Sequence, residues 1–375
     1  MPWLFSEFLK LGLIAFGGPA AHIAWFQRRF VQELGWLSQE RFNELLALCQ
    51  LLPGPTSSQL GMAIGHERQD WPGAIAAFIG FTLPSALLML AAGSGLSWLL
   101  GWPGALGLVQ GLKLLAVLIV AQALAAMARS LLQGTLAQCL MLGCLAVLLL
   151  KGAAWQLPLL ALCALAGALW LRQGEQASQA SFRLDWRLPV ALALVTALAM
   201  LPLAGTGELV RTGALVFGGG HVVLPLLADT AMVRDGMNES GFLAGYGLAQ
   251  ALPGPLFSFA AYIGSASSMG PGGLAGGLLA LLAIYLPSFL LLWGLLPNWQ
   301  QLRRLTWLQG AIRGANAAVI AFLGQVWYQS LLQGSVTDNK SAALLVAGAA
   351  LLYVLKLPAW LMALLAGLAG AALLS

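Results

Sequence analysis

Two Pro-Gly-Pro breaks interrupt stretches that are apolar enough to cross a lipid bilayer. Gln50-Leu51-Leu52-Pro53-Gly54-Pro55 returns as Gln250-Ala251-Leu252-Pro253-Gly254-Pro255. Phe16-Gly17-Gly18-Pro19, with His22 close behind, returns as Phe217-Gly218-Gly219-Gly220-His221. Each proline removes a backbone donor and opposes helix continuation, while the intervening glycine adds freedom. Lipid offers a broken backbone no hydrogen-bond partner, so such segments survive at membrane depth only where they are buried in protein or line a cavity.

The surrounding composition leaves little alternative to a membrane protein. Of 375 residues, 60% are hydrophobic and 8% charged, with mean hydropathy +0.85, whereas ordinary soluble domains carry about 25% charged residues. Apolar stretches of the roughly 20 residues needed for a spanning helix run almost end to end, which leaves no room for a folded soluble domain and excludes catalysis on one. The expected fold class is all-α and polytopic. The start, Met1-Pro2-Trp3-Leu4-Phe5-Ser6-Glu7, has no basic n-region, so no removable signal peptide is expected. Cys49, Cys139, Cys144 and Cys163 lie in apolar stretches without CxxC spacing, which favours packing over metal or disulfide chemistry.

Apolar runs divide the chain into two halves. The first has stretches near Leu4 to Ile23, Phe42 to Gly65, Gly73 to Leu100, Gly104 to Met127, Leu131 to Leu150 and Ala153 to Leu171. A hydrophilic linker from Arg172 to Arg187 and one more stretch, Leu188 to Leu203, precede the second set, which runs from Leu209 to Leu374. The expected organisation is a first repeat over 1–171, a linker with a connecting span over 172–204, and a second repeat over 205–375. Register holds across the halves: Pro84-Ser85 matches Pro287-Ser288, Gly111 matches Gly314 and Gln122 matches Gln325, all 203 positions apart, while Pro53 and Pro253 are 200 apart.

If every stretch crosses, there are thirteen spans, and seven separate equivalent positions. An odd number turns the second repeat upside down, and inverted repeats place substrate sites near the midplane. With the N-terminus inside, this count puts Arg68, Arg129, Arg172, Arg183, Arg187, Arg234, Arg303, Arg304 and Lys356 in cytoplasmic loops, with Arg28, Arg29, Arg41, Lys151 and Lys340 outside. The Arg28-Arg29 pair sits badly with that count, and re-entrant hairpins or half-helices in the first two stretches are the alternative.

The breaks are the first candidate site. A half-helix starting at Pro55 or Thr56 presents free N–H groups and the positive end of its dipole to an anion, with the hydroxyls of Thr56, Ser57 and Ser58 as further donors. Gly54, Gln50, Gln250 and Gly254 belong to the same duplicated motif, although Leu256 and Phe257 make the second copy less polar. Gly17, Gly18, Gly218 and Gly219 either join the site or allow close helix packing. Charges at membrane depth are costly and usually functional. Lys113 lies inside an apolar stretch between Gln110 and Gln122, and the 203-residue register puts Asn316 opposite it, with Arg313 a turn earlier. Lys113 and Arg313 are candidate cations for an anionic substrate, or else snorkel or pair with a carboxylate. His22 and His221 are candidate proton carriers, since imidazole titrates near physiological pH, with a structural histidine as the alternative. Glu44, Glu7 and Glu208 lie near stretch ends, where either proton coupling or a solvated helix end fits.

The residues also carry a family resemblance. Phe16-Gly17-Gly18-Pro19-Ala20-Ala21-His22-Ile23, Trp36-Leu37 with Glu40 and Phe42, Leu48-Cys49-Gln50-Leu51-Leu52-Pro53-Gly54-Pro55 and Phe81-Thr82-Leu83-Pro84-Ser85 resemble the chromate ion transporter family, long-chain two-domain type. Val216-Phe217-Gly218-Gly219-Gly220-His221 through Leu286-Pro287-Ser288 resembles its second domain. The resemblance implies a bacterial inner-membrane protein that exports chromate at the expense of the proton motive force and confers resistance. It implies no enzyme activity, no cofactor, no metal and no nucleic acid. Its partners would be chromate, sulfate as a competitor of the same shape, the lipid bilayer and, in some assemblies, a second copy as a homodimer. Gly220 stands where the first half has Pro19, so the halves are not expected to share ligands evenly. A different oxyanion as substrate and a non-transporting scaffold are the alternative readings.

Overall fold

A computed structural model describes residues 2–16, 18–95, 104–152, 155–171, 185–200, 205–216, 223–302, 305–328, 336 and 338–374. All regular structure among them is helical, as expected for backbone that must satisfy itself in lipid. Leu142, Leu162, Leu165, Leu282 and Leu368 are each more than half exposed. A protein in water would bury such a belt, and here it faces lipid. The chain is a multi-pass membrane protein.

The first half opens with two hairpins rather than two crossings. Helix α1 (Pro2–Ile14) and α2 (Gly18–Phe26), which continues as a π-helical turn over Gln27–Glu33, form the first. Their outer ends are tied together by the Glu7–Arg29 ion pair at 2.6 Å and by Trp3 against Trp36, ring centres 4.9 Å apart. Helix α3 (Gln39–Leu51) and the start of α4 (Thr56–Ser94) form the second, closed at its outer end by Arg41 with Glu67. Arg68 lies over the rings of Trp3 and Trp36, 5.8 and 5.6 Å from their centres. Both hairpins therefore end on one face, called here the N-terminal face.

This overturns the side assignment made by counting every stretch as a crossing. Arg28, Arg29 and Arg41 lie on the same face as Arg68, because α1 and α3, at 13 residues each, reach only about 20 Å into a hydrocarbon core of about 30 Å. Ser38 caps α3 by accepting from the Arg41 amide, and the chain leaves the helix at Leu52 with ψ 141°. The long α4 is itself broken at Gln69 and Asp70. Its second segment, from Trp71 to Ser94, is about 36 Å long and carries the chain to the opposite face.

Three further helices follow: α5 (Ala105–Leu131), α6 (Thr135–Lys151) and α7 (Gln156–Trp170). Helix α8 (Arg187–Ala199) then connects to the second half. That half repeats the pattern. Helices α9 (Thr206–Leu215), α10 (Val223–Ala228) and α11 (Ala231–Arg234) make a third hairpin, tied where Glu208 accepts from the Ala231 amide at 2.5 Å. Helix α12 (Glu239–Ala251) and the turn Leu256–Ser258 with α13 (Phe259–Ala266) make a fourth. Asn238 caps α12 as Ser38 caps α3, 200 positions earlier. Ser267 Oγ donates to the Met232 carbonyl at 2.7 Å, which fastens the fourth hairpin to the third.

Helix α14 (Gly273–Leu295) runs antiparallel to the second segment of α4. Leu90, near the end of α4, would touch a Cβ on Gly277, while Phe78 packs on Tyr285 and Phe289. The third and fourth hairpins precede α14 in the chain as the first and second precede the second segment of α4. A short α15 (Trp299–Leu302), α16 (Thr306–Val326), α17 (Asn339–Ala349, continued as a π-helical turn to Val354) and α18 (Ala359–Leu373) complete the chain.

The halves are interlaced at their second parts. Helix α7 of the first half packs on α16 of the second, where a Cβ on Gly167 would meet the Gly310 carbonyl and one on Gly314 the Cys163 carbonyl. Reciprocally, α18 packs on α5, where Gly370 faces Gly107 and Gly111 faces the Ala366 carbonyl. Small residues let backbones approach in this way where lipid provides no hydrophobic drive between helices. Buried aromatic side chains from both halves, including Phe81, Tyr246, Phe259, Tyr285 and Phe322, fill the core around the hairpin tips.

Candidate functional site

Described residues from all four hairpins meet inside the bundle. The Gly54 amide donates to the Val216 carbonyl at 2.6 Å, and the Gly254 amide donates to the Ala15 carbonyl at 3.1 Å. Ala15 and Val216 precede Phe16-Gly17 and Phe217-Gly218 in the sequence, so each Pro-Gly-Pro break is hydrogen-bonded to a residue of the other half at the end of its first hairpin helix. Gly54 and Gly254 have φ of 121° and 100°, a region that L side chains avoid. A Cβ on Gly54 would run into Ser288 Oγ, and one on Gly254 would lie 2.9 Å from Ser85 Oγ. The duplicated Pro-Ser pairs on α4 and α14 therefore cover the opposing breaks.

Within this junction the first break is the more polar. Helix α4 starts at Thr56 after Pro55, whose ψ of 96° keeps it extended, so the amides of Thr56, Ser57 and Ser58 have no carbonyl a turn earlier to bond. Thr56, Ser57 and Ser58 are all buried. His22 bridges Ser57 Oγ, 3.2 Å from Nδ1, and the Ala15 carbonyl, 3.0 Å from Nε2. This holds the imidazole against the first break and supports its structural reading. Ser58 Oγ lies 3.4 Å from the Tyr285 hydroxyl. In the second break, by contrast, Ser258 turns both its amide and its hydroxyl onto the Pro255 carbonyl, at 3.1 and 2.8 Å. Its donors are spent within their own turn.

Buried polar atoms at the junction that have no hydrogen-bond partner among the described residues include Gln59 Oε1 and Ser288 Oγ. Gln59 is fully buried and its Nε2 donates to the Pro53 carbonyl at 2.6 Å. An unpartnered buried polar group costs about 1–3 kcal/mol, so each of these atoms calls for a partner, whether water, ion or polar ligand. Gln59, Ser85, Ser288 and Tyr285 were not picked out as site residues from the sequence. The signal was present for the two serines, since Pro84-Ser85 and Pro287-Ser288 are duplicated in register.

A cavity of about 860 Å³ leads from the N-terminal face toward this junction. One wall is α3, with Glu40, Glu44 and Gln50 at helical spacing, and the other is α16, with Arg313 and Asn316. Gln50 stands one turn before Pro53, so the cavity approaches the break itself. Arg313 Nη1 lies 3.4 Å from the Leu171 carbonyl, a long contact, and Asn316 Oδ1 is buried without a partner among the described residues. Glu44 pairs with Arg41 at 2.8 Å.

The candidate residues thus fall into three places. Gly54, Pro55, Thr56, Ser57, Ser58, Gly254 and His22 lie at the junction, Gly18 (φ 75°) opens α2 nearby, and Gln250 donates to the Tyr246 hydroxyl at 2.7 Å. Gln50, Glu44, Arg313 and Asn316 share the cavity. Lys113 is in neither, contrary to its expected partnership with Arg313. Its Nζ lies 3.4 Å from Ser240 Oγ with Glu239 in electrostatic range, at the outer end of α12. The two cations lie on different helices with different neighbours, Lys113 on α5 beside α12 and Arg313 on α16 beside α3. Gly17, Gly218, Gly219 and His221 lie outside the described residues, as does the linker 172–184. Among the described residues no group of His, Cys, Asp and Glu is arranged to hold a metal ion.

A protein-family model described as chromate transporter matches residues 3–171 and again 206–371. The chain is 31% identical to a chromate transport protein of Pseudomonas aeruginosa, over 98% of this chain and 91% of that protein. It is 29% identical to a chromate transport protein of Cupriavidus metallidurans, over 94% and 88% of the two chains. A probable chromate transport protein of Synechococcus elongatus is 28% identical over 77% of this chain and 74% of its own. No solved structure matches the chain.

Proposed function

This chain belongs to the chromate transporter family, and from that premise we propose that it exports chromate across the bacterial inner membrane, coupled to protons, and so confers chromate resistance. The observation that carries this reading is the pair of Pro-Gly-Pro breaks bonded across the halves, together with a cavity lined by Arg313 and by Gln50, three residues before Pro53. Chromate is mostly a dianion at neutral pH. A half-helix N-terminus with three buried hydroxyls supplies donors to such a guest at no cost in net buried charge, and the Arg313 guanidinium supplies a fixed cation that recognises oxyanions through paired N–H groups.

We read the halves, 1–171 and 205–375 joined by 172–204, as inverted repeats. Two hairpins that double back remove two crossings from the first half, which leaves an odd number between equivalent positions. The N-terminal face carries Arg28, Arg29, Arg41, Arg68, Arg129 and Arg187, against Lys151, Arg211, Arg234 and Lys340 on the other, a bias that supports a cytoplasmic N-terminus. The cavity then opens toward the cytoplasm, the side from which an exporter must load. Proton coupling falls to Glu44, which lines the cavity, before His22, which is enclosed between Ser57 and Ala15.

The test is chromate uptake into inverted membrane vesicles under an imposed pH gradient, with sulfate as competitor. Uptake that follows the gradient and is inhibited weakly by sulfate is the expected result. Uptake of sulfate in preference to chromate would reassign the substrate among tetrahedral dianions, which the same donors fit. Vesicles that accumulate neither, together with unchanged chromate tolerance in cells, would overturn the reading.

A further inference from the structure

The two halves build the same seam twice, and the structure holds one open and the other shut. On the N-terminal face α3 and α16 stand apart with the large cavity between them. At the matching place on the opposite face α12 lies directly on α5. A Cβ on Gly247 would come within 2.7 Å of the Leu112 carbonyl oxygen, and Ala244 shares a buried cluster with Val109 and Leu112. The registers coincide: Glu40 and Ser240, Ala47 and Gly247, and Gln50 and Gln250 are 200 positions apart, while Gln110 and Arg313, and Lys113 and Asn316, are 203 apart.

Resting on the reading of this protein as an alternating-access carrier, we propose that the α3–α16 and α5–α12 seams are its two gates and that each is latched by its own cation and carboxylate: Lys113 with Glu239 on the shut seam, Arg313 with Glu40 or Glu44 once the open seam closes. Small residues at matching positions, Ala47 on α3 and Gly247 on α12, allow each helix to seat on its partner. In the shut seam Lys113 Nζ lies 3.4 Å from Ser240 Oγ, with Glu239 in electrostatic range beyond direct ion-pair contact. In the open seam Glu40 and Glu44 on α3 and Arg313 on α16, which are not the register counterparts of Glu239 and Lys113, line the same cavity, and Glu44 is held by Arg41 on its own helix. The reciprocal bonds Gly54 to Val216 and Gly254 to Ala15 join the two hairpin sets at their tips and provide the pivot. Closing the first seam gives the cation a carboxylate in place of the dianion, which drives the guest inward. Opening the second withdraws Lys113 from Glu239 and leaves it to receive the dianion on its way out.

The experiment is paired-cysteine cross-linking in membranes, with Cys49, Cys139, Cys144 and Cys163 replaced by alanine. One variant carries Val109→Cys with Ala244→Cys, the other Ala47→Cys with Ile312→Cys. Without added anion, the first pair is expected to cross-link readily and the second slowly. Glu239→Gln or Lys113→Ala should speed the second pair about tenfold, the effect of a charge-assisted hydrogen bond on a two-state ratio. With Lys113 and Glu239 intact, either cross-link should stop chromate flux, and reductant should restore it. A second pair whose rate neither substitution moves, or cross-linked protein that still carries flux at the reduced rate, would overturn the two-gate assignment. Because the rates are read without anion, cross-linking as expected in a cysteine-free parent that carries no chromate would keep the gates and refute the substrate.

Discussion

Gly54→Ala probes the junction most directly, because its cost is calculable from local geometry. The residue has φ 121°, where an L side chain is strained by about 1–2 kcal/mol. Its Cβ would also collide with Ser288 Oγ and lie 2.6 Å from Gln59 Nε2. Gln59 is fully buried and tied to the Pro53 carbonyl, so relief requires a shift of packed atoms at about 1–3 kcal/mol. The expected loss is therefore about 2–5 kcal/mol, with weakening of the Gly54 to Val216 bond that joins the two halves. Thermal unfolding of the purified protein in detergent, followed by tryptophan fluorescence, measures the first effect, and chromate flux in vesicles measures the second. Adding Ser288→Ala removes the nearest colliding atom and should recover the steric part while leaving the backbone strain. Gly143→Ala is the control: it lies within α6 with nothing within 4 Å of the new Cβ, and should be neutral or slightly stabilising. A Gly54→Ala protein as stable and as active as its parent would refute the argument that the tip conformation and the Ser288 contact define the junction.

Arg313→Ala should lower chromate flux by at least about tenfold, the worth of a charge-assisted contact, with little change in thermal stability because its contact to Leu171 is long; Arg313→Lys should recover part of the flux. Lys113→Ala should abolish transport while the protein still inserts and folds, and normal flux in that variant would remove Lys113 from the pathway. Asp338 accepts from the Ser341 amide at 2.7 Å as the cap of α17, and that bond holds its carboxyl below the usual range. A depressed folded value means that the stabilisation is complete above the unfolded value near ~4 and is lost as pH falls through the lower folded one. Hydrogen exchange in the first turn of α17 should accordingly lose protection below about pH 4, corrected for intrinsic rates. Asp338→Asn should abolish that pH dependence, and Asp338→Ala should lack the protection at every pH.

Much of this protein was legible as pattern. Uninterrupted apolar runs leave a chain in lipid no choice but helices, and prolines at 53, 55, 253 and 255 fix where those helices must stop. The paired motifs recur at offsets of 200 and 203 residues, with Pro84-Ser85 and Pro287-Ser288 in register. The sequence also placed Arg313 and Asn316 one turn apart on a helix, as found in the cavity wall. Hydropathy failed at α1 and α3, because an apolar run of Leu4 to Ile23 looks the same whether it crosses or doubles back at Phe16-Gly17-Gly18. The difference lies in the Glu7–Arg29, Arg41–Glu67 and Trp3–Trp36 contacts, which join residues that no local window connects.

Sequence alone determined that the chain is helical, membrane-embedded and twice interrupted, since those properties follow from side-chain solvation and from missing backbone donors, and both are local. Tertiary structure decided which hairpins meet, because a hydrogen bond from Gly54 to Val216 requires two hairpins far apart in the sequence to arrive at one point. It also decided that Arg313 lines an open cavity while Lys113 lies in a shut seam. Matching residues on matching helices acquire different surroundings only through the packing of one half against the other.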